Sequence, residues 1–338
     1  MTDEYRYPFS PYPEGWFAIL EASELAEGEL KSLEYFGREL VAFRGADGAI
    51  KVMDAHCAHQ GAHLGHGGKL EDGCLRCPFH GWKYDGEGRC VDVPYSKEIP
   101  SNARQHSYPV IVWANLVIVF YQAQNLPPSW RPELPDLDGS WSVYGRNAFK
   151  VKVHIQDVGE NGVDIPHFKY VHDTVMPDLV RAEGIETTFY IETATRKDSP
   201  HYQHLRGIKR QLWGMGISSS DFVGQLTGRV IICRTPIDAL YSELSIVAVP
   251  PKLPSEKATA AFGKALLERV SEEIQSDIPV WEHKKYAENP LLVRGDGPIS
   301  RWRRWCKQFY TEDVGPASAT SRPRAKKKVS LPVANDAC

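Results

Sequence analysis

Over residues 16–121 apolar positions alternate with polar ones in short runs, and glycine-bearing turns separate the runs. "LVAFRGADGAIKVMDA" (40–55) and "WKYDGEGRCVDV" (82–93) each read as two strands folded about a Gly-containing turn. "VIVWANLVIVFY" (110–121) is the most apolar stretch; it is β-branched and broken by Asn115, which predicts a strand or hairpin. A proline-rich linker, "NLPPSWRPELPDLDGSW" (125–141), follows. Beyond it the pattern predicts a short helical patch near 155–175, strands through "GRVIICRTPIDALYSELSIVAVP" (228–250), and a long helix over 255–289. The apolar stripe of that helix runs Leu267, Val270, Ile274 and Trp281 in steps of three and four, with Asp277 in line. The fold class is therefore α+β. An all-β domain over 16–121 precedes a catalytic-sized domain over 122–314, on which residues 1–15 pack, and a small, polar tail over 315–338 is expected to be disordered.

Composition adds mostly exclusions. The chain has 338 residues, 42% hydrophobic and 25% charged, with a net charge of -3, so nothing draws it globally to nucleic acid. No stretch is long enough to span a bilayer, and the acidic, aromatic N-terminus is unlike a signal peptide. Seven cysteines without a secretion signal point to thiol or metal chemistry in a reducing, cytoplasmic setting.

The β-rich half contains "CAHQGAHLGHGGKLEDGCLRCPFHGW" (57–82). Cys57 and His59 form one short pair, Cys77 and His80 another, and two such pairs on separate loops bring two thiolates and two imidazoles to one centre. A structural zinc site is one reading. A Rieske 2Fe–2S cluster is the other, with one iron on Cys57 and Cys77, the second on His59 and His80, and a potential raised by the neutral imidazoles. Zinc fingers usually space pairs of like ligands, whereas each pair here is mixed, and the C-x-H then C-P-F-H-G-W pattern resembles a Rieske domain. His56, His63 and His66 fall outside the paired spacing and read as surface or supporting residues. Cys74 and Cys90 read as buried apolar side chains, and Cys233, Cys306 and Cys338 carry no motif.

A cluster of that kind only moves single electrons, so the second half must use them. "ENGVDIPHFKYVHD" (160–173) holds His167 and His172 five apart, with Asp164 three before the first. Five steps separate two side chains by about 140° on a regular α-helix. Pro166 interrupts the ladder, and a π-type turn would return both imidazoles to one face. A carboxylate completes the facial triad of non-haem Fe(II) oxygenases. Asp277 sits on an apolar stripe, where a free carboxylate is expensive and a bound cation would remove the cost. Pro279 is expected to break the helix close by.

With both constellations in view, the chain resembles the oxygenase component of the Rieske-type non-haem iron oxygenases over about residues 14–314. "GWFAI", "CPFHGW", "NGVDIPHFKYVH", "QSDIPVWEHK" and "DGPISRWRRWCKQFY" stand in the family's order. "GWF", "TPID" and "RRW…QFY" are similar to the 3-ketosteroid 9α-hydroxylases and cholesterol 7-desaturases. The resemblance implies a cluster on Cys57, His59, Cys77 and His80, and a mononuclear Fe(II) on His167, His172 and Asp277. It further implies a helix-grip catalytic domain and a head-to-tail homotrimer. There Asp164 would bridge the cluster histidine His80 of one subunit to His167 of its neighbour, because the two centres of one subunit are too far apart. C-A-H replaces the commoner C-P-H, and Ser276 and Pro279 flank Asp277 atypically.

The implied reaction uses O2 to hydroxylate or desaturate a C–H bond of a hydrophobic, steroid-like substrate. No G-x-G-x-x-G opens a helix, so electrons are expected from NAD(P)H through a separate reductase, with or without a ferredoxin. Oxygenation or dealkylation of a smaller aromatic compound is the alternative enzyme. A Rieske electron carrier fused to a lipid-binding domain is the non-enzyme alternative, and it predicts no mononuclear iron. Trp213, Met215, Ile217 and Phe222 either line an apolar pocket or pack the sheet. "RWRRW" (301–305) packs or binds a partner, and "RPRAKKK" (322–328) is a solvated tail or a membrane contact.

Overall fold

The apolar stretch 110–121 is a hairpin, with Ala114 and Asn115 both in the left-handed region (φ 52 and 63), as a tight two-residue turn between strands requires. In the computed structural model, which describes residues 5–45, 47–225 and 227–311, the chain gathers into two units. The smaller comprises residues 23–33, 39–110 and 310–311; the larger comprises residues 5–22, 34–38 and 111–309. The tail 315–338, including residues 322–328 and Cys338, lies outside the described residues.

In chain order the first strands are β1 (Gly15–Glu21), β2 (Leu30–Tyr35), β3 (Arg38–Arg44), β4 (Ile50–Asp54), β5 (Lys69–Glu71) and β6 (Cys74–Arg76). There follow β7 (Lys83–Tyr84), β8 (Cys90–Asp92), β9 (Ser107–Tyr108), β10 (Val110–Trp113) and β11 (Leu116–Tyr121). The smaller unit is built on two four-stranded sheets, β2-β3-β4-β9 and β5-β6-β7-β8. Its core, including Val41, Phe43, Met53, Leu64 and Leu75, packs directly against Cys57 and Cys77.

The larger unit continues with β12 (Gly145–Val151), α1 (Ile155–Glu160), α2 (His167–Tyr170), β13 (Asp178–Ile185), β14 (Thr188–Ala194) and β15 (Leu205–Trp213). Its remaining elements are β16 (Ile217–Gly224), β17 (Gly228–Pro236), β18 (Ser242–Val249), α3 (Glu256–His283) and α4 (Ile299–Cys306). Seven strands form one antiparallel sheet, in the order β12-β18-β17-β16-β15-β14-β13. The strand period of two separates its faces. Val230, Leu244 and Ile246 meet Leu267, Val270 and Ile274 of α3 on one side. Ile231, Cys233 and Val247 meet Trp16, Ile118 and Phe120 of the small β1-β11-β10 sheet on the other. Burial on both faces explains why β17 and β18 read as nearly unbroken apolar runs.

Helix α3 is capped by Ser255, whose hydroxyl accepts from the Ala258 N–H at 3.1 Å. It buries Leu267, Val270, Ile274, Asp277 and Trp281, the stripe read from the sequence. Pro279 does not break it; the helix continues to His283 and stops short of residue 289. The Arg6 guanidinium closes that end, donating to the carbonyls of Trp281 (2.6 Å), Glu282 (2.6 Å) and Lys152 (2.8 Å). A cation there also complements the helix dipole. The "RWRRW" segment is α4, and it packs: Trp302 is fully buried and donates Nε1 to the Gln156 carbonyl at 3.1 Å, while Arg303 pairs with Glu160 through two nitrogens. Among the described residues no helix is long and apolar enough to cross a membrane.

Candidate metal centres and cavity

The two Cys/His loops of the smaller unit repeat one backbone device. The Gly61 N–H donates to the Cys57 carbonyl at 2.8 Å and the Gly81 N–H to the Cys77 carbonyl at 3.2 Å. Gly61 and Gly81 both lie in the left-handed region (φ 74 and 73), which glycine adopts without cost. The cysteine N–H groups are taken by Ala62 O (2.9 Å) and Trp82 O (2.8 Å). The loops thus present both thiols inward, buried, and both imidazoles outward. The His59 and His80 rings meet nearly edge-on, with centroids 4.8 Å apart, and His59 stacks on Trp82 at 4.4 Å.

Two thiols on one side and two imidazoles on the other suit a dinuclear centre better than a single ion. Burial raises the Cys57 thiol pKa, so its thiolate needs a cation beside it. Sequence reasoning missed Tyr84, whose hydroxyl lies 3.1 Å from Cys57 Sγ. A metal-bound thiolate only accepts, so Tyr84 would donate, and such a bond draws charge from the sulfur. His56 is exposed and bonded to Glu39 at 2.6 Å; it belongs to the surface.

In the larger unit the expected π-type turn is absent. Helix α2 is a single turn begun at Pro166, and His172 lies beyond its end. The Val171 N–H closes on the His167 carbonyl at 2.8 Å, both Thr174 donors cap the Phe168 carbonyl, and Asp173 turns the chain at φ 50. A stopped helix folded back on itself, rather than a widened one, brings the two histidines together; their ring centroids are 5.2 Å apart. Asp277 arrives from α3, with Oδ1 3.5 Å from His172 Nε2. One donor atom from each of His167, His172 and Asp277 lies within 4.8 Å of the others.

Asp164 grips His167 through its main chain: its carbonyl lies 2.6 Å from His167 Nδ1. Nδ1 therefore carries the proton, and Nε2 is left as a ligand. Burial lowers the His167 pKa to about 4, and it lowers that of His172 too, so both rings are neutral at neutral pH. Burial lifts the Asp277 carboxyl to about 7 against the opposing hydrogen bond from Asn161. The Asn161 carbonyl oxygen in turn accepts from Trp281 Nε1 at 3.1 Å, which leaves its amide to donate to Asp277. Two neutral imidazoles and a carboxylate strained by desolvation are a donor set that fits ferrous iron. Asp164 itself has its carboxyl pKa raised by burial.

A cavity of about 500 Å³ opens from this group. Its walls are mostly apolar, including Phe168, Leu212, Phe222, Ile232 and Phe262. Of the four residues considered from the sequence, only Phe222 lines it. Trp213 and Ile217 lie one residue out of phase and point through the sheet into the opposite core, and Met215 is buried in the turn between them.

Residues 15–108 match the Rieske [2Fe-2S] domain, and residues 119–310 match the 3-ketosteroid 9alpha-hydroxylase C-terminal domain. A cholesterol 7-desaturase of Caenorhabditis elegans is 31% identical over 349 residues, covering 89% of this chain and 78% of that protein. A probable 3-ketosteroid-9-alpha-monooxygenase oxygenase component of Rhodococcus rhodochrous is 30% identical over 337 residues, covering 91% and 83%. Pseudomonas putida CBB5 NdmA, solved with caffeine, shares the fold with a TM-score of 0.69 at 18% identity, over 86% of this chain and 89% of that one. Dicamba monooxygenase bound to dicamba does so with a TM-score of 0.63 at 16% identity, over 88% and 96%. A Rieske domain joined to this catalytic domain defines a class, the Rieske-type non-haem iron oxygenases. Within that class the chain belongs to the family of the 3-ketosteroid 9α-hydroxylases. It is an oxidoreductase that uses a 2Fe–2S cluster, a mononuclear iron and O2, with electrons from NAD(P)H supplied by a reductase or ferredoxin partner.

Proposed function

We propose that this oxygenase hydroxylates or desaturates a C–H bond of a hydrophobic, steroid-like molecule, and that His167, His172 and Asp277 hold its mononuclear iron. Cys57, Cys77, His59 and His80 hold the cluster. The observation that carries the reading is the apolar cavity of about 500 Å³, whose wall includes all three iron-binding side chains. That volume suits a rigid, mostly apolar small molecule. Named relatives acting on cholesterol and on 3-ketosteroids support the same substrate class.

Bound in these places, iron supplies O2 activation and the cluster supplies single electrons. The chain does the rest. His167 is fixed in one tautomer by the Asp164 carbonyl, and Asn161 holds the Asp277 carboxylate in register. Phe168, Phe222 and Phe262 line the cavity with apolar surface that disfavours water beside the substrate. In a head-to-tail homotrimer, the Asp164 carboxylate would link His167 to His80 of a neighbouring copy. The Asp164 carboxylate accepts from the His167 main-chain N–H at 3.4 Å, and His80 is half-buried, which supports such a link.

Substrate-dependent O2 consumption with a surrogate NAD(P)H reductase tests the reading across sterols, 3-ketosteroids and aromatic acids. Coupled uptake with a steroid supports it. Uptake coupled only to aromatic acids would replace it with oxygenation of a smaller ring.

A further inference from the structure

Three adjacent strands carry a polar track along one wall of the cavity. Arg210 of β15 stands opposite Ser220 of β16 and donates Nε to its hydroxyl at 3.2 Å. Two residues away on β16, the Ser218 hydroxyl receives Nη2 of Arg234 of β17 at 2.9 Å. All four residues line the cavity. Arg234 is only 6% exposed, its contact to the Met215 carbonyl is long at 3.5 Å, and its Nε is buried with no hydrogen-bond partner.

A guanidinium keeps its charge at any ordinary pH, and a buried cation without a counter-ion is costly. Glu273 of the wall acts favourably on Arg210, but no carboxylate among the described lining residues acts on Arg234. Only Glu273 and Asp277 contribute carboxylates among the described lining residues. Glu273 pairs with Arg269 at 3.1 Å, and Asp277 belongs to the iron-binding group. Iron adds further positive charge.

We propose that the Arg210–Ser220–Ser218–Arg234 track is a subsite for a carboxylate carried by the substrate, so that the cavity takes an apolar polycyclic acid rather than a neutral sterol. This rests on reading the cavity as the site of a steroid-like substrate. A carboxylate accepts paired N–H bonds from a guanidinium, and the cavity-lining Arg210 spends only its Nε on Ser220. A ketone oxygen accepts a hydrogen bond but leaves the charge unpaired.

The test is equilibrium binding of cholanic acid and of its methyl ester to the metal-loaded protein, followed by calorimetry at neutral pH. The acid is expected to bind roughly ten- to a hundredfold more tightly than the ester, as a charge-assisted hydrogen bond supplies. Arg210→Met and Arg234→Met are expected to collapse that preference while ester binding persists. The comparison on the unaltered protein stands even if the Arg234 variant fails to fold. Equal affinity for acid and ester, or a preference untouched in both variants, overturns the subsite and leaves the steroid reading standing. Binding of neither molecule overturns the steroid reading itself.

Discussion

Asn161 carries no metal-ligand signal in the sequence, because an amide is neither a good iron donor nor part of the histidine spacing. Its importance emerges only when the turn after α1 meets α3, where it donates to Asp277 and accepts from Trp281. That His167, His172 and Asp277 come together is legible for the opposite reason: two are strong donors at short spacing, and the third is a charge on an apolar stripe. Asn161→Leu is expected to weaken mononuclear iron binding about 10- to 100-fold, the usual effect of losing a supporting hydrogen bond. Iron titration of the variant checks this, with cluster absorption unchanged. His154 is a second residue that only the structure explains. Its Nδ1 accepts the Gln156 N–H at 3.0 Å as the cap of α1, and its Nε2 lies 3.2 Å from the Ser10 carbonyl, so the ring must be neutral. Burial lowers its pKa to about 3. The folded pKa is below the unfolded one of 6.5, so no penalty exists at pH 7 and stability is lost as pH falls below 6.5 toward 3. At pH 5 the loss is about 2 kcal/mol, at roughly 1.4 kcal/mol per unit. Denaturant unfolding at both pH values should show it, and His154→Asn, which keeps a capping side chain, should reduce the difference.

At the scale of elements, the long helix was readable because burial imposes its period on the sequence. Helix α3 forgoes one N–H bond, to the Gln275 carbonyl, at Pro279 and continues for four more residues to His283. The segment 155–175 departs from a widened helix for a different reason. Spacing on an ideal helix says nothing about where the helix stops, and Thr174 and Asp173 stop it before His172. For residues 213, 215 and 217 the sequence leaves pocket lining and sheet packing open, because apolar character does not reveal which face of a two-faced sheet a residue joins; the structure selects packing. Helix α1 meets α4 at Gly159, where an added Cβ would lie 2.3 Å from the Trp302 ring. Gly159→Ala sets a helix-propensity gain of about 1 kcal/mol against overpacking costs of about 1–3 kcal/mol. Trp302 is fully buried and hydrogen-bonded, so it cannot yield and the cost wins. A thermal melt should show a lower Tm, by about 2–4 °C for each net kcal/mol.

At the scale of the molecule, the alternation of the first half and the helix of the second made the two-part α+β organisation visible. The linear order did not reveal how β1 is shared out. Trp16 and Ala18 join the core of the larger unit although they precede the whole cluster-bearing segment. The trimer is tested at this scale too. Asp164 holds His167 through its backbone carbonyl, so Asp164→Asn leaves that bond intact and alters only the carboxylate. Both metals should be retained at full content while coupled turnover drops by about 10- to 100-fold or more. Full turnover would remove the proposed link between copies, as would a monomer in analytical ultracentrifugation that remains fully active.

The unbroken run of α3 from its serine cap to His283 has a consequence for how such a chain can vary. One residue inserted or deleted between Ser255 and Asp277 would swing the carboxylate about 100° around the axis and slide it about 1.5 Å along it. Substitutions in that interval are tolerable wherever they face solvent, but changes of length are not. The chemistry is therefore keyed to a count of residues as well as to their identities.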